Sequence, residues 1–109
     1  MIEILILTLK PGMGKTFHQF YTLHAIPLLE KWNFEVLDFG PSKHEEDNYY
    51  VIRFFVDLED RQRSEEAYYQ RRDWRDGPRE ELMAMVEHYS TVVVPEAALN
   101  SWMVDGGMR

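Results

Sequence analysis

The chain has 109 residues, 45% hydrophobic and 28% charged, which is enough for one core and too few for two. A formal net charge of -7 sets an unfavourable field against nucleic acid, so no nucleic-acid partner is expected. The absence of cysteine excludes disulfides, thiolate metal sites and cysteine nucleophiles, and makes a cytoplasmic setting the expectation.

Ile2 to Leu9 reads as a strand with aliphatic residues on both parities, Ile2, Ile4 and Ile6 on one and Leu5, Leu7 and Leu9 on the other. Such a strand is covered on both faces. The run carries Glu3 and is far shorter than the roughly 20 apolar residues of a membrane helix, so no membrane insertion is expected. It also lacks the basic start and small-residue cleavage site of a signal peptide. Lys10-Pro11-Gly12-Met13-Gly14 then turns into a helix from about Lys15. At about 100° per residue, Phe17, Phe20, Tyr21, His24, Leu28 and the stem of Lys31 share one stripe. Pro27 is expected to kink or restart that helix, and Asn33 to stop it.

Phe34 to Phe39 reads as a second strand closed by Gly40-Pro41, and Ser42 to Asn48 as a loop. Tyr49 to Val56 is the clearest strand, with Arg53 its only charge, and forms a hairpin with the strand before it. Asp57 suits an N-cap, with Glu59 and Asp60 in the first turn of a helix running to about Arg72. Its apolar face is thin: Leu58, Ala67 and Tyr68. Trp74 to Gly77 breaks the helix. Pro78 opens another, Arg79 to His88, with Leu82, Met85, Val86 and Tyr89 on one stripe. Ser90 to Val94 is a final strand ended by Pro95. Residues 1–95 form the domain, and 96–109 a tail in which Leu99, Trp102 and Met103 suggest a short docked turn.

The order strand, helix, strand, strand, broken helix, strand is α+β and ferredoxin-like, βαββαβ, with an antiparallel sheet carrying its helices on one face. The doubly apolar first strand then implies a second chain on the other face, hence a homodimer packed sheet to sheet.

Gly12-Met13-Gly14-Lys15-Thr16 has the look of a phosphate-binding loop, but the G-x-x-x-x-G-K-[ST] spacing puts Leu9 where glycine is required. A strand-to-helix turn needing small residues is the better reading. Among candidate functional residues, His24 lies mid-stripe facing the sheet, as a hydrogen-bonded core histidine or as a general base. His18 is too far round the helix to join it as a ligand, and no metal site is expected. Arg53, buried in its strand, needs a carboxylate from the protein or from a ligand. Trp74 and Arg79 flank the helix break. The arginines Arg61, Arg63, Arg71, Arg72 and Arg75, interleaved with Glu65, Glu66, Asp73 and Asp76, read as a solvated ion-paired face. No catalytic triad or glycine-rich cofactor loop is present, and the paired acids fall on expected exposed faces.

Leu9-Lys10-Pro11-Gly12, the helix end His24 to Lys31, Val51-Ile52-Arg53-Phe54 through Asp57 to Arg61, and Asp73-Trp74 resemble the NIPSNAP family in order and spacing over roughly residues 1–95. The resemblance implies a dimeric α/β barrel. It also places the chain in a superfamily that includes cofactor-free monooxygenases, dehalogenases, isomerases and many proteins without an assigned activity. The family's first strand often carries an arginine and a tyrosine where this chain has Leu5 and Leu7. Two functions follow as expectations. One is a homodimer of unassigned activity, needing no cofactor, with a small-molecule pocket between sheet and helices formed by Tyr21, His24, Arg53, Tyr68, Trp74 and Arg79. The other is a non-catalytic protein-protein interaction module. A polar pocket of a few hundred Å³ favours the first, and a filled core with a large exposed apolar patch favours the second.

Overall fold

The computed structural model describes residues 1–98, so the tail residues Leu99, Trp102 and Met103 lie outside the described residues. Two edge strands and two central strands make the sheet: β1 (Ile2–Leu9), β2 (Glu35–Pro41), β3 (Asn48–Phe54) and β4 (Val86–Val94), in the order β2-β3-β1-β4. Every pairing is antiparallel. Between β1 and β2 run α1 (Gly14–Phe20), a π-helical turn (Tyr21–Ala25) and α2 (Ile26–Lys31). Between β3 and β4 run α3 (Leu58–Tyr69), α4 (Arg72–Arg75) and α5 (Arg79–Met85). This is the ferredoxin-like α+β order expected from the sequence.

The two faces of β1 have different neighbours. Leu7 and Leu9 join a core with Phe17, Tyr21, Leu29, Tyr49, Val51, Tyr68 and Leu82, drawn from both helical segments. The opposite face carries Ile4, Ile6, Tyr50, Ile52, Phe54 and Val92, all half-buried or exposed. No helix among the described residues is long and apolar enough to cross a membrane.

The strand-to-helix turn is held from the side. Gly12 has φ +80°, and its amide donates to Asp47 Oδ1 at 3.1 Å. A Cβ on Gly14 would stand 2.7 Å from the Glu46 carbonyl oxygen. The amide a phosphate would need is therefore already bonded to a carboxylate, and the glycines serve close packing against the β2–β3 loop.

Three expectations change. The buried stripe of the first helix is Phe17, Tyr21, Ala25, Ile26 and Leu29, whereas His24 is exposed and Phe20 and Leu28 are only partly buried. In an unbroken α-helix, residues four apart drift by about 40° per step. The π turn, in which the Ile26 amide reaches the Tyr21 carbonyl, absorbs that drift and keeps every fourth residue inward. Pro27 stands in the first turn of the restarted piece, where a missing amide costs little. Second, β4 begins at Val86, directly after α5, because Val86 pairs with Leu9 in the sheet; Tyr89 is thereby a strand residue and largely exposed. Third, α3 turns Arg61, Glu65, Tyr68 and Tyr69 toward the sheet, and leaves Leu58 and Ala67 exposed.

Asn33, at φ +66°, ends α2 in the left-handed conformation that asparagine tolerates. Asp57 caps α3 by accepting from the Asp60 amide at 2.7 Å. Asp73 of α4 accepts from Lys31 Nζ at 3.1 Å and Trp32 Nε1 at 3.2 Å, and so ties α4 to the end of α2. Gly77 closes the α4–α5 break so tightly that a Cβ there would collide with the Asp73 carbonyl oxygen. Gly77→Ala is expected to lower stability by about 1–3 kcal/mol in urea unfolding, since backbone must move to admit the methyl group. An unchanged midpoint would show that the break has slack.

Candidate functional site

Glu3 and Arg53 are direct partners in the β1–β3 register, both on the face that the helices cover. Each is almost fully buried, at 1% and 3% exposure. Glu3 Oε1 accepts from Arg53 Nε at 2.6 Å and stands 2.6 Å from Nη2. Glu3 Oε2 accepts from Arg61 Nε at 2.7 Å. Arg53 further donates from Nη1 to Tyr69 Oη and from Nη2 to Glu65 Oε2, each at 3.2 Å. Its guanidinium lies 5.2 Å from the Phe34 ring centroid. The i, i+4 spacing of Arg61, Glu65 and Tyr69 puts all three on one face of α3, above the two strand charges.

This cluster forms the polar end of a cavity of about 520 Å³ between sheet and helices. Leu5 and Leu7 of β1 floor the cavity; Phe17, Tyr21, Ala25 and Leu29 wall one side, and Tyr68, Trp74, Leu82 and Met83 the other. Arg79, Tyr89 and Thr91 complete the lining. Leu5 and Leu7 are thus apolar floor, and the polar groups are gathered around Glu3. The Tyr68 ring packs against Phe34, Tyr69 and Trp74, with centroids 5.0–5.6 Å apart. Its hydroxyl is buried with no hydrogen-bond partner among the described residues.

The two carboxyls differ. Burial opposes ionisation of Glu3, but hydrogen bonds from Glu65 and the arginines, with the Arg53 charge, outweigh it and hold Glu3 below the usual carboxylate range. Burial, the hydrogen bond to Glu3 and the Glu3 charge push Glu65 up to about 7, against the pull of Arg53 and Arg61. Glu65 is therefore the member of the pair that titrates near neutral pH. Burial also raises the Tyr21, Tyr49 and Tyr68 hydroxyls, which stay protonated at neutral pH.

Of the residues expected to form a pocket, Tyr21, Arg53, Tyr68, Trp74 and Arg79 line this cavity. His24 does not: the π turn leaves it exposed against the Phe20 ring, 4.6 Å between centroids, and its placement facing the sheet is corrected accordingly. His18 instead meets Tyr49 Oη through Nδ1 at 2.6 Å. The partner of Arg53 is intramolecular. Sequence reasoning does not bring Glu3 and Glu65 to the site: Glu65 falls on a helix face expected to be exposed, and Glu3 has no partner assigned in its strand. A lone acid in β1 and a lone base in β3, each in an apolar strand, is the signal that points to the pair.

No family model matches the chain, and no curated protein matches it. The fold is that of solved NIPSNAP structures. One is an uncharacterized NIPSNAP domain protein from Burkholderia xenovorans, 14% identical over 88% of this chain and 94% of the other, at a TM-score of 0.78. Another is a NIPSNAP family protein of unknown function from Agrobacterium tumefaciens, 16% identical over 85% and 84% of the two chains, also at 0.78. A candidate antibiotic biosynthesis monooxygenase from Bacteriodes thetaiotaomicron is 11% identical over 88% and 89%, at 0.64. These likenesses show a ferredoxin-like fold shared with solved NIPSNAP structures.

The raised Glu65 and lowered Glu3 act on stability in opposite pH windows. As pH rises from 4.5, the ordinary value, toward 7, the unfolded chain releases the Glu65 proton before the folded chain does, so that contribution to stability is lost. As pH falls below 4.5, the unfolded chain protonates Glu3 first and stability falls again. Glu65→Gln mimics the protonated form. Its stability relative to the parent should match near pH 4.5 and grow by on the order of 2 kcal/mol by pH 7. Thermal unfolding across that range checks it, and a pH-independent difference would contradict the assignment.

Proposed function

We propose that the chain is a NIPSNAP-type homodimer of the cytoplasm that binds a small organic molecule in the cavity between sheet and helices, through Tyr21, Arg53, Tyr68, Trp74 and Arg79. The observation that carries this reading is the cavity itself: about 520 Å³, largely apolar, with the Glu3, Arg53 and Glu65 cluster at one end. Ligand sites have this size and this mixture of apolar walls with few polar groups. A filled core would have favoured the interaction module.

Homodimerisation is supported by the open sheet face. Ile4, Ile6, Ile52, Phe54 and Val92 make a contiguous apolar surface on the side away from the helices, with Ile6 37% and Val92 51% exposed. Covering it with a second copy would remove that apolar area from water at about 25 cal/mol per Å². The neighbouring monooxygenase-type structure shares the fold alone, and no reaction is transferred from it.

Native mass spectrometry of protein purified gently from cells tests both parts. A dimer with a reproducible added small-molecule mass is the expected result, and Ile4→Glu, on the open face, should give monomer. A monomer from the parent chain would overturn the dimer, and a ligand-free dimer would move the weight to an interaction role.

A further inference from the structure

Three arginines line the cavity, Arg53, Arg61 and Arg79, against two glutamates, Glu3 and Glu65. Arg53 and Arg61 both converge on Glu3, at 2.6 and 2.7 Å. Arg79, exposed at the start of α5, makes no ion pair with any described residue. Glu65 touches Arg53 at 3.2 Å and Arg61 at 3.4 Å through the same oxygen, Oε2, and lies beside Glu3. With a proton on Glu65, only Glu3 offsets the three arginines, and the lining keeps a positive excess beside apolar walls.

Resting on the reading of the cavity as a ligand site, we propose that its ligand is an aromatic monoanion, a carboxylate or sulfonate in class. Its charge lies against Arg79, and Glu65 takes up a proton as the anion enters. A negative charge brought into the lining opposes ionisation of Glu65, as like charges do. Linkage is reciprocal, so the protonated carboxyl binds the anion more tightly. The groups facing Glu65 are Glu3 from β1, Arg53 from β3 and Arg61 from its own helix, with Tyr69 bonded to Arg53; Tyr21 and Arg79 line the same cavity. None of the other groups in that set is a carboxyl free to take the proton, because Glu3 is clamped by two arginines.

Two fluorescent probes that differ by one charge test the proposal: anilinonaphthalene sulfonate and its uncharged analogue phenylnaphthylamine, each titrated onto the full chain. The sulfonate should bind about tenfold more tightly at about pH 6 than at about pH 8, the uncharged analogue equally at both. Glu65→Gln should hold the sulfonate affinity high at both pH values. Arg79→Met should abolish the preference for the sulfonate. Met83→Trp, at a lining position 46% exposed where a larger side chain is tolerated, should weaken both probes. If neither probe binds, or if Met83→Trp affects neither, the cavity is not the ligand site and the underlying reading fails. If Met83→Trp weakens both probes but they bind alike, or Glu65→Gln keeps the pH dependence, the cavity remains a ligand site and the anion and its proton are overturned.

Discussion

The buried pair of Glu3 and Arg53 is the constraint around which this structure is arranged. Two opposite charges sit directly across from each other on neighbouring central strands, under the helices, at 1% and 3% exposure. Removing ions from water is costly, and the pair is tolerated only because its remaining valences are filled. Arg61, Glu65 and Tyr69 fill them, all from α3, and their demand explains why that helix presents a polar face to the interior. A helix chosen for apolar packing would have closed the space above β1. This one leaves a cavity.

The same constraint shapes the electrostatics of the cavity. Because Glu3 is clamped by two arginines, it remains ionised, while burial, then the hydrogen bond to Glu3 and the Glu3 charge, push Glu65 up to about 7. Environments that push two neighbouring carboxyls apart create one fixed charge and one titrating group. Next to this polar end lie Leu5, Leu7 and the aromatic side chains of Tyr68 and Trp74, so the cavity offers charge beside hydrocarbon. The other sheet face, with Ile4 and Ile6, has no part in this.

The strand order and the helix positions were legible because they rest on strong local signals: the apolar run Ile2 to Leu9, the Asp57 cap, and proline and glycine punctuation. Five of the six residues expected in a pocket, Tyr21, Arg53, Tyr68, Trp74 and Arg79, lie along the cavity. His24 was misplaced because a π turn is invisible to a count at 100° per residue, and the strict spacing of four in Phe17, Tyr21, Ala25 and Leu29 was its only trace. Glu65 was hidden for a different reason. Polar residues on a helix are read as facing water, and only a long-range partner such as Arg53 reverses that reading. The α5–β4 junction depends likewise on pairing with Leu9, which no local pattern contains.

A double-mutant cycle on Glu3 and Arg53, followed by urea unfolding, is the most direct test of this account. Glu3→Leu and Arg53→Met singly should each cost about 3–5 kcal/mol, because each leaves a buried charge without its main partner. Together they should cost less than the sum by about 2 kcal/mol or more, since Arg61 and Glu65, already 3.4 Å apart, can close on each other over an apolar floor. Additive costs would contradict the claim that this pair is a single coupled unit on which the helix face and the cavity depend.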